Sequence, residues 1–264
     1  MRSAKLAPVS ALSRSQALRR GLDILCLFTD ERRDWGISEL AKHLNEHKSI
    51  VHRAIKTLED VGFLRQDALT QRYSLGFTAY QMGIVAARTF GFTTVIRIRL
   101  AKLSEQIGAT VYIDVRDGDA NRVVDTFETS ALIRFNSPVG TRIPWNRGAS
   151  SKLLYAHVPE KDVLRMIEQH GLPRHTSRTI VGKRAFLAEL REIRARGYSL
   201  SDSEGIDGVL GIATPIFGVS GSDMAALQAT LTSTGVSDNR RKEIVASMAA
   251  TAKEISALLQ PRGV

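Results

Sequence analysis

A single cysteine, Cys26, stands among 264 residues. No disulfide can form within the chain, and a reducing compartment suits it. Cys26 lies in the apolar pattern of a helix, so a buried thiol is expected. No apolar run approaches the roughly 20 residues that a bilayer demands, and the first residues lack the apolar core of a secretory signal. The expected location is the cytoplasm, with no membrane partner. The sequence also lacks a Gly-x-Gly-x-x-Gly turn after a strand, a GxxxxGK[ST] phosphate loop, an HExxH pair, paired cysteines and a nucleophile elbow. Those gaps remove the common enzyme classes and leave no catalytic residue, cofactor or metal to expect. Internal repeats and low-complexity tracts are missing too.

Charge, by contrast, is abundant and one-sided. The formal net charge is +10 at pH 7, which suits a polyanionic partner such as nucleic acid or acidic lipid, although a merely soluble basic protein would carry it as well. From Met1 to Leu22 the chain has Arg2, Lys5, Arg14, Arg19 and Arg20 and no acid. Residues 1–12 read as a mobile basic arm able to neutralise phosphates or enter a minor groove, or as a tail with no role. The apolar fraction of 43% is ordinary for a folded chain, and the length allows two domains.

The stretch that organises the chain is Ile37 to Leu58. Ile37, Leu40, Ala41 and Leu44 repeat at helical spacing, the pattern breaks at Asn45-Glu46-His47-Lys48, and Val51, Ala54, Ile55 and Leu58 resume it. Two short amphipathic helices joined by a turn follow, with Asn45 suited to a left-handed helix end. The free face of the second carries Lys48, Ser49, His52, Arg53 and Lys56, all donors. Such a face fits the phosphates of duplex DNA and the acceptors of its major groove. A solvated basic face would look the same on this stretch alone. Gly62 to Arg65, a turn at Asp67 to Gln71, and Arg72 to Leu75 then form a β-hairpin, the position of a wing. Ser38 and Arg72 join the DNA-facing candidates, as do Arg14 and Arg19 further upstream. His43 and His47 have a metal-compatible spacing of four but no nearby ligands, so they read as a surface pair.

Upstream, Ser13 or Ser15 caps a helix whose Leu18, Leu22, Ile24, Leu25 and Phe28 supply a buried stripe. These pieces make residues 13–76 a winged helix-turn-helix domain. Residues 77–90 form a nearly uncharged helix carrying Tyr80, Met82, Ile84 and Val85, expected to join two subunits, with packing inside its own chain as the alternative. Residues 91–264 read as an α+β domain. A helix runs to Gly108, strands cover Thr110 to Asp117, Arg122 to Phe127 and Leu132 to Phe135, and a small-residue loop, Gly140 to Ser151, leads into a helix from Ser151 to His157. Further helices run from Pro159 to Gly171 and Phe186 to Arg196. Strands at Val209 to Phe217 and Met224 to Leu231 precede a last helix capped by Ser237.

In order and spacing, ALRRGLDIL, ISELAKHL, KSIVHRAIKTLEDVGFLRQ, RYSLG, VRDGD, GTRIPWNRGASSKLL, RARGYSLSDSE and GVLGIATPIF resemble the IclR family of bacterial transcription regulators over nearly the whole chain. The resemblance implies a winged-helix DNA-binding domain and a C-terminal GAF/profilin-like effector-binding domain with an antiparallel sheet. It also implies a homodimer or homotetramer on a palindromic operator, more often repressing, whose DNA affinity changes when a small metabolite binds. Carried over, the effector pocket would be lined by Ala149, Ser150, Ser201, Gly211, Gln228 and Thr230, with Trp145 and Arg147 beside them. Small residues at a loop-to-helix junction let backbone N–H groups face an anion, and alternate positions 228 and 230 share one face of a strand. Asn146-Arg147-Gly148 replaces the family's usual His-Ala-Thr/Ser, Gln228 stands where serine is common, and Glu46-His47 replaces an apolar residue and proline. Arg134, Arg142 and Arg147 surround the pocket, and from Phe77 onward 24 basic residues face 18 acidic ones. A small carboxylate, aromatic or not, is the expected effector. The other readings are a GAF-like metabolic enzyme fused to a DNA-binding domain and a non-sensing architectural DNA-binding protein.

Overall fold

The computed structural model describes residues 15–29, 32–89, 94–129, 135, 137–218 and 224–259, and the chain divides into two compact units, Met1–Thr89 and Phe90–Val264. The expected basic arm, Arg14, Arg134 and all but Phe135 of the strand expected at 132–135 lie outside the described residues.

The first unit runs α1 (Gln16–Leu25), β1 (Asp34–Trp35), α2 (Ile37–Leu44), α3 (Lys48–Asp60), β2 (Leu64–Gln66), β3 (Tyr73–Leu75) and α4 (Phe77–Thr89). Ser15 caps α1, its hydroxyl accepting from the Leu18 amide at 3.3 Å. Asn45 ends α2 at φ 54°, ψ 46°, the left-handed conformation the turn needed. Ile24, Leu40, Val51, Ile55, Leu64 and Tyr73 close one core, with Trp35 brought in by β1, a two-residue strand too short to leave a periodic pattern. Of the buried stripe expected on α1, Ile24 is in the core and Leu25 and Phe28 pack against it, but Leu18 and Leu22 are corrected. The inner side of α1 runs through Gly21, which faces Leu58, and the fully buried Ile24. Leu18, Leu22 and Cys26, spaced by four, therefore share the outward side, with Leu18 65% and Leu22 53% exposed. Cys26 is an exposed C-cap rather than a buried thiol. At the foot of the hairpin, a Cβ on Gly76 would come within 2.3 Å of the Gly62 carbonyl oxygen, so only glycine lets β3 pass the end of α3.

The second unit runs α5 (Thr94–Ile107), β4 (Thr110–Asp117), β5 (Ala120–Phe127), β6 (Arg142–Pro144), α6 (Gly148–Ala156), α7 (Glu160–His170), α8 (Lys183–Arg196), β7 (Ser199–Asp202), β8 (Val209–Phe217), β9 (Met224–Thr232) and α9 (Asp238–Leu259). The strands form one antiparallel sheet in the order β6-β5-β4-β9-β8-β7. Strand alternation sorts its two faces. Val111, Ile113, Ile212, Leu227 and Ala229 meet Leu100, Leu103, Ile244 and Met248 of α5 and α9. Ala213, Met224 and Ala226 meet the layer built from Trp145, just before α6, and Leu153, Phe186 and Leu190 of α6 and α8. The α+β class with an antiparallel sheet is as the sequence indicated. The helix expected at Ser151 begins three residues earlier, because Gly148 at φ 81° turns the chain directly into α6.

Candidate functional site

Lys48, Ser49, His52 and Arg53 project from α3 into solvent while Val51 and Ile55 fill the core beneath. Ser38 is exposed on the first turn of α2. Lys56 is not a free donor: its ammonium bonds Glu59 at 2.6 Å, and that bond holds it above the usual lysine range. The donor face thus ends in an ion pair one turn on. Arg19 lies 3.8 Å from Asp23. Arg72, the DNA-facing candidate of the wing, ties the unit together: it pairs with Asp34 and, at 2.8 Å, with Glu39. Glu39 in turn accepts from the Gly36 amide at 3.0 Å and pairs with Arg32 at 2.9 Å. The Gly36 amide above all, then the arginines, hold its carboxyl below the usual range. His43 meets the edge of the Trp35 ring with centroids 5.3 Å apart, and no group of three metal-ligating side chains occurs among the described residues.

The second unit holds a cavity of about 180 Å³ on the α6 side of the sheet. Its floor follows from register. Ser201 pairs with Gly211 and Gly211 with Thr230, one row across β7, β8 and β9, while Gln228 opposes Tyr112 in the next. Over that row sits the first turn of α6. A Cβ on Gly211 would meet the Ala149 Cβ at 3.3 Å, so the missing side chain lets the helix end settle on the sheet. Arg147, Ala149, Ser150, Ser201, Gly211, Gln228 and Thr230 all line the cavity. Tyr112, Phe135, Ile143, Ile206 and Val209 add an apolar part that sequence reading missed. The alternation of TVYIDVRD could have placed Tyr112 there, since it shares a face with its cross-strand partner Gln228.

Trp145 does not line the cavity. It is 2% exposed, with ring centroids 5.4 Å from Tyr155 and 5.2 Å from Phe186. An indole is large and flat enough to fill the space between α6 and α8, and burial there outweighs a place beside a ligand. Arg142 pairs with Asp119. Arg147 remains: its Nε donates to the Gly205 carbonyl at 3.1 Å, it is half-buried, and no carboxylate pairs with it among the described residues. Burial first, and the Arg147 charge second, push the neighbouring His175 down toward the neutral form.

Three polar features surround the cavity. The Ser150 amide donates to Gln228 Oε1 at 2.8 Å, and Gln228 Nε2 donates to Thr230 Oγ1 at 3.1 Å. Behind Ser150, Asp114 is fully buried and neither oxygen has a well-formed hydrogen bond. Burial pushes its carboxyl up to about 7, with the Ser150 side chain too weakly placed to offset it. Finally, Lys152, 1% exposed, holds Glu204 at 2.7 Å, Glu189 at 3.2 Å and the Leu200 carbonyl at 2.7 Å. Glu204 adjoins Gly205 and Ile206 of the cavity wall, and its carbonyl accepts from Thr179 Oγ1 at 2.7 Å.

Residues 86–257 match the family model described as "Bacterial transcriptional regulator IclR C-terminal", and residues 17–68 match that described as "IclR helix-turn-helix domain". The chain is 33% identical over 247 residues to the HTH-type transcriptional regulator BhcR of Paracoccus denitrificans, covering 94% of this chain and 88% of that one. It is 26% identical over 257 residues to the transcriptional repressor IclR of Escherichia coli, covering 97% and 94%. Its fold is similar to the crystal structure of an IclR homolog from Microbacterium hydrocarbonoxydans complexed with 4-hydroxybenzoate, with a TM-score of 0.76, 18% identity and coverage of 93% and 99%.

Proposed function

The chain belongs to the IclR family of bacterial transcription regulators, and on that premise we propose that it is a repressor whose grip on a palindromic operator changes when a small carboxylate fills the cavity. The observation that carries the effector class is Arg147, a half-buried guanidinium at the cavity wall with no carboxylate partner among the described residues. A cation in that setting is compensated by a ligand anion at little cost, because its desolvation is already largely met in the empty protein. Cavities near 150 Å³ accept benzene, so about 180 Å³ with an apolar side suits an acid no larger than one ring. The 4-hydroxybenzoate in the Microbacterium homolog is an acid of that size. Ligand sensing without turnover is the role proposed for the second unit.

DNA recognition is assigned to Lys48, Ser49, His52 and Arg53 of α3, with Ser38, Arg14, Arg19 and the arm on the backbone. Lys56 and Arg72 contribute only after leaving their carboxylate partners. The domain plan is a basic arm (1–12), the winged helix-turn-helix (13–76), a linker and dimerisation helix (77–90) and the effector domain (91–264). On α4, Phe77 is 68%, Tyr80 62% and Met82 57% exposed. An apolar helix so exposed favours a second copy of the chain, and a dimer sets two recognition helices a turn of DNA apart.

Isothermal calorimetry with a panel of small organic acids, paired with gel shifts on DNA upstream of the gene, tests the whole. Arg147→Ala should weaken binding of the acid that the wild type takes by about ten- to a hundredfold. Unchanged affinity would remove Arg147 from the site, and an operator complex indifferent to every bound acid would remove the sensing role.

A further inference from the structure

The N-cap of α6 is Arg147, whose side chain has donors and no acceptor, so it cannot satisfy the amides of the helix's first turn. The acceptor comes from the sheet. Gln228 reaches across the cavity from β9 and places Oε1 2.8 Å from the Ser150 amide. The orientation of the amide is dictated, because a backbone N–H only donates; Nε2 then turns to Thr230 Oγ1 at 3.1 Å. Gln228 therefore sits with a carbonyl oxygen on the helix end, inside the wall of the cavity, where an anionic oxygen would gain most from the same N–H and the helix dipole.

We propose that Gln228 is a built-in competitor of the effector: its amide oxygen occupies the Ser150 N–H in the empty protein, and a bound carboxylate takes that donor only by turning the amide away. The proposal rests on the carboxylate reading of the cavity. It makes Gln228 a residue that sets the affinity of every ligand using this donor. A ligand that offers the Ser150 N–H a neutral oxygen merely exchanges like for like, whereas a carboxylate offers a charge-assisted bond and wins the exchange. A shorter residue at 228 could not reach α6, and a ligand would meet the donor unoccupied.

Acetate, lactate, benzoate and 4-hydroxybenzoate, together with benzamide as an uncharged probe, are titrated by calorimetry into the full-length wild type, Gln228→Ser, Gln228→Ala and Gln228→Glu. The Ser150 amide is followed by 15N–1H NMR. Without ligand, the Ser150 resonance should shift in the Ser and Ala variants. The acid bound by the wild type should bind both about five- to tenfold more tightly, the equivalent of about one net hydrogen bond recovered, and benzamide should gain by a similar factor. Gln228→Glu, which places a carboxylate on the helix end permanently, should bind no acid. Should an acid bind wild type and Gln228→Ser equally, with Arg147→Ala still weakening it, the competitor idea is overturned while the cavity reading stands. If no acid binds either protein, both fall. An unmoved Ser150 resonance in Gln228→Ala overturns the contact itself.

Discussion

Lys152 Nζ lies 2.7 Å from Glu204 Oε1 with its own side chain 1% exposed. The helix whose first turn walls the cavity is thereby tied to the loop whose Gly205 and Ile206 wall it too. Burial pushes the Glu204 carboxyl up, and the nearby ammonium pulls it back. Removing the lysine strands the Glu204 carboxylate, while Glu189 keeps Arg196 at 3.0 Å, so Lys152→Ala should cost about 3–5 kcal/mol, or about 10 °C in Tm. Calorimetric melting checks this, and a loss within 2 °C would mean that solvent already screens the pair.

Asp114 makes stability depend on pH. Its folded pKa is near 7 against about 4 when unfolded, so between those values the native state holds a proton that the unfolded chain releases. Its contribution is therefore neutral below pH 4, grows unfavourable as pH rises through 4 to 7, and is fully unfavourable above 7. Asp114→Asn should raise stability at pH 8 by at most about 4 kcal/mol and leave it little changed at pH 4. Urea melts at the two pH values separate this from a general effect of the amide.

On DNA the two ends of α3 should behave differently. Arg53→Ala should cost about 1–3 kcal/mol on the operator and much less on random duplex. Because Glu59 holds Lys56 at 2.6 Å, Glu59→Ala should tighten both kinds of DNA alike and steepen the salt dependence by about one ion. Gel-shift titrations at several salt concentrations read both; sequence-selective tightening by the Glu59 variant would place Lys56 on a base instead.

Gly76 should tolerate no side chain. The atom a Cβ would strike, at 2.3 Å, is the Gly62 carbonyl oxygen, backbone that cannot swing aside. Gly76→Ala is expected to cost the first unit about 1–3 kcal/mol and to weaken DNA binding, while melting of the second unit stays put. Differential scanning calorimetry resolves the units if they melt apart.

Legibility followed periodicity. The donors of α3 were readable because a spacing of 3.6 assigns them one face, and alternation put Gln228 and Thr230 on one face of a strand, whereas their place in a pocket, like that of Ser201 and Gly211, came from the family resemblance. The errors arose where partners decide. Nothing local to Leu18, Leu22 and Cys26 says which side of α1 meets α3; Gly21 does, by leaving room for Leu58. Trp145 reads as a ligand neighbour from its place in the chain, and only the packed rings of Tyr155 and Phe186 make it core. Lys56 and Arg72 read as free cations until carboxylates distant in sequence, or one turn along, are placed beside them. Tyr112 and Ile206 entered the cavity through sheet register and loop path, which composition does not encode.

The outward position of Cys26, the chain's one thiol, has a practical side. A maleimide dye attaches at a single known point per subunit, on the unit that carries α3. In the proposed dimer, energy transfer between dyes on the two copies would then report how far apart their α3 helices stand, with and without an acid present, and with no substitution introduced.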